Sequence, residues 1–173
     1  MQVSIRPGTA GDIPAITRIY AHAVLHGTAS FEYEPPNEAE MARRMHELVS
    51  KNFPYLAAEI DGVLEGYAYA ALYRTRPAYR WTLEDSVYIA PESQGHGIGR
   101  ALLTALIVAS EARGFRQMIA VIGDSAQAAS IALHRACGFH DVGTFEAVGF
   151  KFGRWLDTVL MQRELGDGAT TKP

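Results

Sequence analysis

One cysteine, Cys137, stands in a chain of 173 residues, so no intrachain disulfide and no cysteine-based zinc cluster can hold it together. No long apolar run is present either. The strongest, Ala101 to Ala109, is broken by Thr104 and is far too short to span a bilayer. Arg6, Asp12 and Arg18 fall where a signal peptide would need an apolar stretch, so a cytoplasmic protein in a reducing compartment is expected. There is no block of Lys and Arg, and 16 basic against 19 acidic residues leave a net charge of −3. That balance excludes a protein that coats nucleic acid or clings to a membrane surface. Repeats and low-complexity segments are also missing. What remains is ordinary for a folded domain, with 48% hydrophobic and 20% charged residues. A chain this long buries roughly 70% of the surface its unfolded form exposes, enough for one core without metal or disulfide. The expectation is one domain over residues 1–165 and a flexible tail over 166–173.

Local patterns give an element order. Val3 to Arg6 alternates apolar and polar, as a strand does. Thr9 is a candidate N-cap for a helix carrying Ile13, Ile16, Ile19, Tyr20 and Val24 on one face, with Gly27 as its stop. A second helix is predicted over Asn37 to Ser50, after the Pro35-Pro36 break. Tyr55 to Ile60 and Val63 to Leu72 flank Asp61-Gly62, a strong hairpin signal. A strand over Trp81 to Ile89 follows the turn at Arg74 to Arg80. Next come a loop to Gly99, a helix over Ala101 to Arg113 and a short strand over Met118 to Ile122. A helix over Ala128 to Ala136 and strands at Phe139 to Gly143 and Trp155 to Gln162 complete the chain. This β-α-α-β-β-β-α-β-α-β-β order reads as an α/β (α+β) fold, a mixed sheet with helices packed on it. Only the βαβ unit around Gly99 requires a parallel crossover.

The most informative segment is Gln94-Gly95-His96-Gly97-Ile98-Gly99-Arg100, between a strand and an amphipathic helix. Glycines let the backbone approach a ligand, and a helix start adds free N–H groups and a positive dipole end, which suits a diphosphate. Gln94 and Arg100 can donate from the rim. A purely structural glycine turn is the alternative. A Walker loop would end in Gly-Lys-Ser/Thr, and Gly99-Arg100-Ala101 lacks both the lysine and the hydroxyl. A Rossmann loop spaces its glycines G-x-G-x-x-G, whereas this one reads G-x-G-x-G. Asp124 after the next strand keeps a dinucleotide reading open, but the preceding antiparallel hairpin argues against it.

Gln94-x-x-Gly97-x-Gly99 after Val87-Tyr88-Ile89 resembles the acetyl-CoA pyrophosphate loop of the GNAT N-acetyltransferases. Ser130-x-x-Leu133-His134-x-x-x-Gly138-Phe139 resembles the family's second landmark. Three further stretches are similar to the phosphinothricin and methionine sulfoximine N-acetyltransferase subfamily. They are Thr28-Ala29-Ser30-Phe31-Glu32, Tyr79-Arg80-Trp81-Thr82-x-Glu84 and Gly149-Phe150-Lys151-Phe152-Gly153-Arg154-Trp155. The resemblance covers residues 3 to 165. It implies the GNAT fold, a twisted and mostly antiparallel sheet of about seven strands with helices on both faces. A central parallel pair, Trp81–Ile89 and Met118–Ile122, would splay to admit acetyl-CoA.

The resemblance also implies roles. Val87, Tyr88 and Ile89 would pair through their backbone with the pantetheine arm, and the Ile89 N–H would polarise the thioester carbonyl. Residues Gly95, His96, Gly97, Ile98, Gly99 and Arg100 would hold the pyrophosphate, with Gln94, Ser130 and His134 also on the cofactor. Glu84 would be the base that frees the amine lone pair, and His134 would serve the leaving thiolate or a proton relay. Phe31, Glu32, Arg74, Arg76 and Arg80 would bind a small zwitterionic amino-acid substrate, the arginines taking its anion. Lys151 and Trp155 would close the pocket from a partner subunit in a homodimer. The family usually has an Asn that donates to the pantetheine where this chain has Gln127, whose longer amide would take that place, and the turn Gly123 to Ala126 looks lengthened. Because such an enzyme acts on one zwitterion or another, detoxification of a phosphinothricin-like compound is an expected role.

Other patterns in the chain carry no chemistry of their own. His22 and His26 have i, i+4 spacing but no third ligand, so no metal is expected. Cys137 lacks an orienting base arrangement and reads as an inert thiol. Tyr67, Tyr69 and Tyr73 share a strand face and read as core and pocket wall. Two rival functions stand beside the first: transfer to a polyamine, aminoglycoside or protein N-terminus, and a non-catalytic acyl-CoA sensor. The arginine-rich turn argues against the cationic acceptors, and the presence of Glu84 against the sensor.

Overall fold

A computed structural model describes residues 2–173. The predicted order of strands and helices is the observed one. Seven strands, β1 (Val3–Pro7), β2 (Tyr55–Ile60), β3 (Val63–Leu72), β4 (Thr82–Ile89), β5 (Gln117–Gly123), β6 (His140–Lys151) and β7 (Arg154–Glu164), form one sheet. Its order is β1-β2-β3-β4-β5-β7-β6, antiparallel except where β4 meets β5. Helices α1 (Ile13–His26) and α2 (Glu38–Ser50) pack on one face, and α3 (Ile98–Glu111) and α4 (Ala128–Ala136) on the other.

Several boundaries have identifiable local causes. Thr9 caps a 3-10 turn over Ala10–Asp12 rather than α1 itself, its backbone N–H donating to Asp12 Oδ2 at 2.7 Å. Asn37 is the N-cap of α2 and accepts from the Glu40 N–H at 2.9 Å. Asp61 and Gly62 both take positive φ, 51° and 80°, the requirement of a tight hairpin turn. Gly27 ends α1 in extended backbone at φ −129°, so left-handed freedom is not why the helix stops there. Helix α3 starts at Ile98, three residues before the predicted Ala101, because Gly97 at φ 80° supplies the cap.

The largest departure lies at the end of the chain. Instead of a short strand to Gly143, β6 runs to Lys151 and turns into β7 through Phe152 and Gly153, at φ 53° and 73°. A bulge at Ala147, φ 51°, interrupts the pairing, and Asp157 Oδ1 accepts the freed Ala147 N–H at 2.9 Å. Residues 166–173 fold back onto the domain. Arg116 donates to Gly168 O and Lys172 O, each at 3.1 Å, and to Thr171 Oγ1 at 2.8 Å.

The core has two layers. Leu102, Leu103 and Leu106 of α3 are fully buried against Leu83, Met118 and Met161 of the sheet. On the opposite face Tyr67 is buried and stacks on Tyr55, Tyr69 and Tyr88 at centroid distances of 5.9, 6.3 and 5.3 Å. Tyr73 lies beyond the end of β3 and meets Tyr79 instead. Truncation of Leu106 to Ala should cost about 2–5 kcal/mol in urea unfolding, because the side chain is fully buried between α3 and the sheet.

Candidate functional site

Backbone pairing between β4 and β5 covers only three positions, Thr82↔Gln117, Leu83↔Met118 and Glu84↔Ile119. Beyond them both strands continue, each still paired on its far side, β4 with β3 and β5 with β7. The facing edges of Asp85–Ile89 and Ala120–Gly123 therefore part, and a cleft of about 520 Å³ opens between them. Ala90 N–H bonds Glu65 O at 2.8 Å, which fixes the alternation of β4. Val87 and Ile89 turn their backbone groups into the gap, while Tyr88 turns its own toward β3. Tyr88 also lines the cleft, but its backbone groups are spent on β3 and not on the pairing expected of them.

At one end the cleft meets the glycine loop. Gly95 and Gly97 both stand at φ 80°, with no atom within 4 Å of where a Cβ would sit. Backbone conformation, not crowding, requires glycine there. The reason for Gly99 is different, since its Cβ would come within 3.3 Å of Leu133 Cδ2 on α4. Ala101 is the first residue of α3 to donate back, to Gly97 O, so the N–H groups of Ile98, Gly99 and Arg100 stay free at the cleft. Gln94 and Arg100 are exposed on its rim, and Gln127 and Ser130 line its wall. His96 is exposed and lies off the lining.

Glu84 and Asp85 are neighbours on one strand and so point to opposite sheet faces. Glu84 faces the side of α1 and has no ion-pair partner among the described residues. Burial, with a smaller contribution from the charge of Asp85, pushes its pKa up to about 7. Asp85 faces α4, where its Oδ2 lies 2.9 Å from His134 Nε2. The other ring nitrogen, Nδ1, lies 2.7 Å from Ser130 O and can only donate to it. Desolvation works against a charged ring at His134, but the Asp85 and Ser130 bonds outweigh it and raise the pKa. Asp85 carried no signal in the sequence beyond its place beside Glu84.

On the α1 side, the loop after that helix is fixed from several directions. Thr28 Oγ1 donates to Asp124 Oδ2 at 3.2 Å and accepts from Gln127 Nε2 at 2.9 Å. The Gln127 amide, expected on the cofactor, is thus engaged with this loop. Tyr20 OH and Arg44 both donate to Glu32, at 2.6 and 2.7 Å, so Glu32 is already neutralised by a residue of α2. Phe31 lies over Gly123 and Gly149, whose added Cβ atoms would strike its ring. Ala29, between these anchors, lines the cleft.

Two expectations need correction. Lys151 is buried within its own chain, its Nζ donating to Gly27 O at 2.9 Å and Ser30 O at 2.7 Å. It holds the loop from beneath and does not close the pocket of a partner. Arg74, Arg76 and Arg80 are all exposed and none lines the cleft. Arg74 lies over the Tyr73 ring and Arg80 over the Trp81 ring, at 5.2 and 5.1 Å. Among the described residues no metal-binding cluster occurs, and no helix is long and apolar enough to cross a membrane.

Residues 5–160 match the profile described as an acetyltransferase (GNAT) domain. The chain belongs to the GNAT acetyltransferases. A phosphinothricin N-acetyltransferase from Alcaligenes faecalis is 59% identical over 94% of this chain and 82% of its own length. An L-methionine sulfoximine/L-methionine sulfone acetyltransferase from Salmonella typhimurium is 39% identical over 96% of this chain and 97% of its own. Among solved structures, a GNAT phosphinothricin acetyltransferase from Sinorhizobium meliloti, in complex with acetyl-CoA, superposes with a TM-score of 0.97. It shares 51% identity and covers all of this chain and 94% of its own. In a GNAT enzyme the parted strands and the free helix N-terminus take acetyl-CoA as co-substrate, and the cleft has the donors for both arm and diphosphate. Replacing Gly97 by Ala should cost about 1–2 kcal/mol of stability. It should also weaken acetyl-CoA binding in calorimetry, whereas unchanged affinity would remove the loop from the diphosphate site.

Proposed function

We propose that this chain transfers the acetyl group of acetyl-CoA directly to the α-amino group of a small amino acid or analogue, with phosphinothricin, methionine sulfoximine and methionine sulfone as its substrates. The observation that carries this reading is Glu84, a carboxylate with a pKa near 7 and no partner, beside the opening of the parted strands. An ammonium has no lone pair, so a group that is part ionised at neutral pH must first take its proton. Glu84 takes that proton, and the freed amine attacks the thioester carbon from the α1 side. Negative charge then grows on the carbonyl oxygen, where the Ile89 N–H receives it. The thiolate departs along the cleft wall that holds His134. Both ring N–H groups of His134 are engaged by Ser130 O and Asp85, so it acts there as a fixed positive charge rather than as a free acid.

Arg74, Arg76 and Arg80 are proposed to serve as cations at the mouth rather than as a preformed clamp. Their turn is closed by the Tyr73 N–H to Thr82 O bond, two residues ahead of Glu84 on β4. Phe31 and Glu32 shape the acceptor side through the fixed loop, with Ala29 as its contact surface. We also place the enzyme in the cytoplasm, acting in detoxification as a homodimer. Support for the dimer is the apolar exposure of the terminal hairpin, where Val142, Phe145, Val148, Phe150, Phe152 and Trp155 all face solvent.

Thiol release from acetyl-CoA across an amino-acid panel should single out the sulfoximine, sulfone and phosphinothricin acceptors; no turnover with any amine would refute transfer. The rate kcat/KM should rise with pH through about 7 as Glu84 ionises. Glu84→Gln should abolish that limb and lower kcat by roughly 10²–10⁴-fold with acetyl-CoA affinity retained. Light scattering should give twice the monomer mass, and Phe150→Glu with Trp155→Glu should return it to the monomer.

A further inference from the structure

Asp85 is the first residue of β4 beyond the last position paired with β5, so it stands at the apex of the parted strands. Beyond that position the one sheet divides, β1 to β4 on one side and β5, β7 and β6 on the other, with α3 packed across both and α4 following β5. Where the backbone bonds stop, a side-chain bond takes over. Asp85 Oδ2 meets His134 Nε2 at 2.9 Å, and Nδ1 of the same ring is spent on Ser130 O at 2.7 Å, both inside α4. Each partner is deeply buried, with side chains 2% and 6% exposed for Asp85 and His134. Such a pair is costly to desolvate, and Asp85 Oδ1 is buried with no partner of its own. A packed apolar pair would close the apex at less cost, so the charges need a reason beyond stability.

We propose that Asp85 is a positioning residue for the acetyl transfer, holding the His134 ring as a doubly donating cation that ties α4 to β4 at the apex of the cofactor cleft. This rests on the acetyl-transfer reading above and adds a residue to it. The groups that face the ring are few. Asp85 comes from β4, the Ser130 carbonyl from α4 itself, and the edge-on Phe139 ring, 5.0 Å away, precedes β6. From β7, Arg163 reaches the end of the same helix at Cys137 O. On the other face, Glu84 is influenced by Asp85, and the phenols of Tyr69 and Tyr88 lie within its electrostatic reach. Asp85 thus acts on both sides of the opening: it anchors the cation by contact and keeps Glu84 protonated to higher pH by its charge.

The test is the titration of His134 in the cofactor-free protein, followed by nitrogen and carbon NMR of labelled histidine, in wild type and Asp85→Asn. In wild type, His134 should remain a doubly protonated imidazolium above the ordinary histidine value of about 6.5. In Asp85→Asn its midpoint should drop below that value, because burial then acts without the carboxylate. The acidic limb of kcat/KM should move to lower pH in the same variant, and coenzyme A should bind on the order of tenfold more weakly in calorimetry. A purely structural Asp85 would lower the histidine midpoint but leave coenzyme A affinity and the acidic limb of kcat/KM unchanged, and that result would overturn the proposal. If Asp85→Asn does not fold, the wild-type titration decides: a neutral His134 at or below the ordinary value refutes it. Because the NMR arm needs no turnover, an enzyme that acetylates nothing would sink the functional reading and still leave this one answered.

Discussion

Three residue pairs hold β4 to β5, and then the two strands separate while each keeps its outer neighbour. Everything in the site follows from that limit on pairing. A strand edge inside a sheet is normally satisfied by the next strand, so the unpaired groups of Val87 and Ile89 form an acceptor for an extended, amide-bearing chain. The acetyl-CoA arm has that chemistry. The same opening runs through the sheet, and a thioester on the α3 side can therefore be reached by an amine on the α1 side.

Position on the strand then divides the chemistry. Glu84 is the last paired residue and Asp85 the first unpaired one, so two adjacent carboxylates fall on opposite faces at the apex. One is half-buried without a partner and titrates near neutrality; the other is tied to His134. Their environments, not their residue types, make one suited to proton removal and the other to holding a cation. The loop from Gly27 to Glu32 is likewise fixed before any substrate arrives. Lys151, Asp124, Gln127, Tyr20 and Arg44 supply its bonds, and that order reduces what binding must spend on arranging the acceptor side.

Much of this was legible in the sequence because it depends on local rules. Asp61-Gly62 announced its hairpin, Asn37 its helix, and Gln94 to Arg100 a glycine loop ahead of a helix. The long terminal hairpin was not legible, since Phe152-Gly153 is an unusual turn pair and a bulge at Ala147 breaks the alternation of β6. Contacts between distant segments were also hidden. Nothing local says that Lys151 reaches back to Gly27 and Ser30, or that Asp85 finds His134 across 49 residues. The arginines at 74, 76 and 80 show the reverse: neighbours in sequence suggested a clamp, whereas in space Arg74 and Arg80 lie over the half-buried rings of Tyr73 and Trp81 and none of the three lines the cleft.

One measurement tests the division of the site between two sheet faces most directly, a crystal structure with coenzyme A and phosphinothricin bound together. The pantetheine arm should lie along Val87 and Ile89 in the gap between β4 and β5, with the diphosphate on the N–H groups of Gly97 to Arg100. The acceptor nitrogen should sit on the α1 side within hydrogen-bond reach of Glu84, about 2.6–3.2 Å or through one water. An arm lying outside the parted strands, or an amine on the α4 face away from Glu84, would contradict it.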